Sequence, residues 1–190
     1  MNKGRLEAFS DGVIAVIITI LVLELKQPQG VMLKSLETVL PAFLSYVLSF
    51  VYIGIYWNNH HHLLYATQHV AGGILWANLH LLFWLSLIPF ATAWMGQNHF
   101  GQLPVALYGL ILLFAGIAYV ILTKALIVHH SKDSLLASAI GKDRKGILSL
   151  IFYAIGIPLS FWRPWVGFTC YVATAIIWLL PDPRIEKNIH

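Results

Sequence analysis

Long apolar runs separated by short polar breaks fill almost the whole chain. Six of them approach the length of a membrane-crossing helix, which takes about 20 mostly apolar residues. They cover residues 6–25, 38–57, 70–95, 103–128, 146–162 and 165–180. Only Arg163-Pro164 divides the last two, which predicts a tight helical hairpin. The first run is rich in β-branched residues: Val13, Ile14, Val16, Ile17, Ile18, Thr19, Ile20 and Val22. In water that texture reads as a buried strand. In hydrocarbon a lone strand leaves its backbone unpaired, so the helix wins. The expected fold is an all-α integral membrane protein of six transmembrane helices, one unit over residues 1–190 with no internal repeat.

Charge sharpens this picture. Asp, Glu, Lys and Arg make up 11% of the chain, against about 25% in soluble proteins. Residues 38–123 contain none of them. A soluble domain needs surface charge to stay dispersed, so a soluble enzyme is excluded. A single cysteine, Cys170, excludes an internal disulfide. The net charge is +4, but the cations flank apolar runs, which is a topology signal rather than a nucleic-acid footprint. With six spans, the side holding both termini receives Lys3, Arg5, Lys124, Lys132, Lys142, Arg144, Lys145, Arg184 and Lys187. The other side receives Lys26, Lys34 and Arg163. The positive-inside rule then predicts cytoplasmic termini in a cell membrane. Trp57, Trp94, Trp162, Trp165 and Trp178 fall near span ends, where an interfacial belt belongs. Ser10 and Asp11 interrupt the start of the first run and no clear cleavage site follows, so it reads as a retained helix rather than a signal peptide.

Polar groups are costly in lipid, and so they carry the information. Arg5, Glu7, Ser10 and Asp11 crowd the start of the first helix. Glu7 and Asp11 are four apart on one face and repel unless a donor intervenes. They either favour a helix N-terminus through its dipole or form a buried network pinning this helix to its neighbours. The network reading is the stronger, because apolar residues directly follow Asp11. His80 lies well inside the third run and needs a partner. It is a hydrogen-bonded core histidine, and it or Trp76 is expected to meet the Ser10–Asp11 cluster. His60, His61 and His62 follow the second run, with His69 beyond. Consecutive histidines point around a helix and rarely converge on one metal, so an interfacial polar cap is preferred to a zinc or copper site.

No nucleophile elbow or phosphate loop occurs. The middle of every span lacks the charges that proton-coupled transporters tend to carry. A pore or a structural bundle remains, with no catalytic residue and no cofactor. On the first helix Gly12, Val16, Thr19, Ile20 and Leu23 share one stripe at 3.6 residues per turn. Symmetric copies would form apolar rings at Val16, Ile20 and Leu23 and a hydroxyl ring at Thr19. Apolar rings gate by dewetting, and hydroxyl oxygens replace lost hydration water. The same stripe also fits ordinary helix packing.

Arg5-Leu6-Glu7-Ala8-Phe9-Ser10-Asp11, followed by Gly12 through Leu25, fits an Arg-x-x-x-Phe-Ser-Asp pattern on a first membrane helix. Trp57-Asn58-Asn59-His60 and Pro89-Phe90 add to it. The chain thereby resembles prokaryotic members of the transmembrane protein 175 family. That resemblance implies a homotetrameric, modestly potassium-selective cation channel assembled around a central pore lined by the first helices. It implies a constriction at Val16, a selectivity layer at Thr19, and a network of Arg5, Phe9, Ser10 and Asp11 reaching Trp76 and His80. The implied partners are potassium and other monovalent cations, the lipid bilayer and further copies of the chain. No Thr-Val-Gly-Tyr-Gly filter and no arginine-spaced helix occurs, so selection must work differently. Three rivals stay open: a proton channel with His80 as relay, a secondary transporter, and a metal-dependent protein using His60, His61, His62 or His69.

Overall fold

The computed structural model describes residues 3–65, 70–129 and 144–179, whose regular structure is all helical. In order they form α1 (Lys3–Leu23), α2 (Leu33–Glu37), α3 (Leu40–Tyr65), α4 (Gly72–Ser86), α5 (Ile88–Gln97), α6 (Gln102–His129), α7 (Arg144–Trp162) and α8 (Pro164–Leu179). By length and composition α1, α3, α4 with α5, α6 and α7 can each cross a membrane. The sixteen residues of α8 are shorter than the usual span and rise about 24 Å.

Two boundaries differ from expectation. The third run is interrupted at Leu87 rather than unbroken: α4 ends at Ser86 and α5 begins at Ile88. Pro89 is the cause, since it has no N–H to offer the preceding turn and its ring crowds the carbonyl one turn back. The second helix does not stop at Trp57 but runs on to Tyr65. Its polar end stays helical because the polar groups find partners. The Asn59 amide, for example, donates to the Ile55 carbonyl at 2.7 Å.

The core lies around α6, which packs on α4, α5, α7 and α8. Tyr52, Tyr108 and Tyr171 are among the largest fully buried side chains. Apolar surroundings oblige each hydroxyl to find a partner. Thr92 donates to the Ile88 carbonyl at 2.7 Å, so its oxygen accepts from Ser49 at 2.6 Å. Ser49 in turn accepts from Tyr108 at 2.9 Å. Tyr52 donates to the Tyr171 carbonyl at 2.6 Å. The Tyr171 ring fits because Gly109 and Gly156 carry no side chain: a Cβ at Gly109 would coincide with its hydroxyl. By contrast α1 stands at the edge, packed on α3, α4 and α5.

Candidate pore-lining helix

One face of α1 is buried, along Leu6, Ser10, Ile14, Ile17 and Leu21. These recur every three or four residues, the spacing of a single helix face. The opposite face carries Gly12, Val16, Thr19, Ile20 and Leu23, all exposed, Val16 at 55%. The four apolar or hydroxyl positions singled out in the sequence therefore share one side of α1, turned away from the chain's own core. The Thr19 hydroxyl donates to the Val16 carbonyl at 2.8 Å. Its proton is thereby committed within the helix, and its lone pairs face outward as acceptors.

The buried face is held by a polar network at the start of α1. The Ser10 hydroxyl donates to the Leu6 carbonyl at 2.9 Å, and the Asn78 amide of α4 donates to the Ser10 oxygen at 2.9 Å. With its NH2 so used, Asn78 turns its oxygen to His60 Nε2 at 2.7 Å, which makes that nitrogen the donor. Beside this chain, Trp57 Nε1 donates to Asp11 Oδ1 at 3.1 Å. His61 Nδ1 lies 3.3 Å from Glu7 Oε1, and the Trp57 and His61 rings stack 6.2 Å apart. The two carboxylates that would repel one another each meet a donor one turn apart on α3.

Within the one chain this network uses other partners than those expected. Trp76 and His80 do not reach Ser10 or Asp11. Trp76 is 76% exposed, and His80 Nε2 accepts from Trp84 Nε1 at 3.0 Å on its own helix. Trp76 and His80 are one turn apart on one face of α4, while Asn78 sits about 200° round from each. The inward face of α4 runs through Ile74, Ala77, Asn78, Leu81 and Leu85, and Asn78 occupies the place assigned to the other two. His60 is likewise no interfacial cap but 1% exposed in the core. Arg5 and Phe9 are exposed and take no part in these bonds. Asn78, His60 and Trp57 are the residues that reading the sequence missed. No signal in the sequence separates Asn78 from Trp76 and His80, because α4 is apolar on nearly every face.

No group of three or more His, Cys, Asp or Glu that could hold a metal ion occurs among the described residues. His69 lies outside them.

Residues 5–89 match the sequence model of the family described as endosomal/lysosomal potassium channel TMEM175. A protein from Chryseobacterium sp. named as a potassium channel is 56% identical over 189 residues, covering 100% of this chain and 98% of that protein. Human endosomal/lysosomal proton channel TMEM175 is 35% identical over 75 residues, 33% of this chain and 15% of that one. The crystal structure of a lysosomal potassium-selective channel TMEM175 homolog from Chamaesiphon minutus superposes with a TM-score of 0.83 at 30% identity, over 94% of this chain and 96% of that one.

Proposed function

Because this chain belongs to the TMEM175 family of ion channels, which are not enzymes, we propose that four copies surround a central pore and conduct potassium. In this reading residues 1–190 form one subunit, α8 is its sixth span, both termini are cytoplasmic, and the exposed stripe of α1 lines the conduit. Val16, Ile20 and Leu23 supply apolar rings that close the pore by dewetting. Between them, four Thr19 hydroxyl oxygens offer ligands to an ion that has shed water. The observation that carries the reading is the two-faced build of α1. One side is pinned by Ser10 and Asp11 to α3 and α4, and the other presents Val16, Thr19, Ile20 and Leu23 outward.

Such a site favours monovalent over divalent cations, because stripping water from a doubly charged ion costs more and no carboxylate ring compensates. Thr19 acceptors then give a modest preference for potassium. The vertebrate relatives named as proton channels support a second reading, in which the same conduit passes protons. One experiment separates the two: current across a bilayer holding purified protein, with opposed potassium, sodium and proton gradients. A reversal potential that follows potassium supports the first reading. One that follows the proton gradient overturns it in favour of the second. Absence of any current from folded protein sinks both.

A further inference from the structure

Residues 24–39 join the end of α1 to the start of α3, two helices of membrane-crossing length. Connectivity therefore holds this segment at one membrane surface. It is far more apolar than a loop in water. Val31 is 103% exposed and Leu33 85%, with Met32, Leu36 and Leu40 also exposed. The bend at Gly30, whose φ of +109° suits glycine alone, turns the chain into α2. From there Leu33, Leu36, Leu40, Phe43, Val47 and Phe50 recur every three or four residues and are all exposed. The apolar stripe thus runs without a break from the linker down the outside of α3. Lys34 stands exposed beside it, placed to bury its methylene stem and keep its ammonium among headgroups.

We propose that residues 31–36 are an interfacial foot, docked on the bilayer surface at the boundary between headgroups and acyl chains. The occupant of this apolar face is lipid. Its stripe continues along a membrane-crossing helix, its exposed cation beside the stripe suits a headgroup region, and a water-exposed patch of this kind would be a liability. The foot follows α1 directly through residues 24–32, so it fixes how deep that end of α1 lies.

The test places an environment-sensitive fluorophore at Met32→Cys, or in a second variant at Leu36→Cys, in a Cys170→Ala background reconstituted in liposomes. The control label is at Asn98→Cys. That turn lies at the same membrane surface, since Lys26 Nζ donates to Gln97 Oε1 at 3.2 Å. Phospholipids spin-labelled high on the acyl chain should quench the label at 32 or 36 severalfold more than at 98. Lipids labelled near the chain end should quench it less, and aqueous iodide should quench it severalfold less than at 98. Iodide quenching equal to that at 98 would place the segment in water and overturn the proposal. Shielding from both quenchers, with disulfide cross-linking between copies of the unlabelled Met32→Cys variant, would show a second copy covering it and overturn it equally.

Discussion

The indole N–H of Trp57 points at the Asp11 carboxylate from across the α1–α3 contact, at 3.1 Å. One turn away His61 does the same for Glu7 at 3.3 Å. Pairs spaced by four on two neighbouring helices thus interlock, with the residue numbers running in opposite directions. This arrangement registers α1 along its axis and sets which residues face outward further along it.

Removing either member of the first pair should loosen that register. Asp11→Ala and Trp57→Phe are each expected to cost about 0.5–1.5 kcal/mol, the range of an ordinary hydrogen bond, since this one is open to solvent. A double-mutant cycle on thermal unfolding in detergent should show coupling of about 1 kcal/mol. Asp11→Ala should lower the yield of assembled protein more than it changes ion selectivity. Strict additivity of the two substitutions would show that the bond contributes nothing.

Asn78 bridges two buried groups at once, so its loss is more damaging. Asn78→Leu leaves the Ser10 oxygen and the His60 Nε2–H without their partner. Each abandoned buried group costs about 1–3 kcal/mol. The melting temperature should fall further than for Trp76→Phe, whose side chain is largely exposed. Equal melting temperatures for the two variants would refute this ranking.

If Thr19 forms the proposed selectivity layer, its hydroxyl rather than its bulk is what the ion meets. Thr19→Ser should preserve the potassium-over-sodium preference, while Thr19→Ala and the isosteric Thr19→Val should reduce it. Reversal potentials under bi-ionic gradients measure this directly. If Thr19→Val behaves like the parent, the oxygen is not a ligand for the ion.

Packing around Tyr171 gives a test remote from α1. Gly109→Ala places a methyl where the Tyr171 hydroxyl lies and should destabilise by at least the ~1–3 kcal/mol of ordinary overpacking. Tyr171→Phe removes the clashing oxygen and should recover part of the loss. Thermal melts of the single and double variants decide it, and a harmless Gly109→Ala would show that the ring has room to move.

The spans were legible because lipid leaves a long apolar run one way to satisfy its backbone. The start of α1, the Arg163 turn between α7 and α8, and the sharing of one helix face by Val16, Thr19, Ile20 and Leu23 follow from run length and period, whereas the outward turn of that face does not. The break at Leu87 was missed although Pro89 was in view, since an interrupted helix and an unbroken one have the same apolar content. The extension of α3 to Tyr65 was hidden because Asn58 through His62 look like the end of a span.

The choice of partners was beyond reach for a physical reason. A membrane helix such as α4 is apolar on nearly every face, so its pattern does not reveal which side turns inward. Trp76, Asn78 and His80 were therefore equivalent as candidates for Ser10. By itself the sequence determined that this chain lives in a membrane as helices, and that Val16, Thr19, Ile20 and Leu23 share one side of the first. Only tertiary packing, which sets the rotation of each helix about its own axis, decided that Asn78, His60 and Trp57 hold that helix in place.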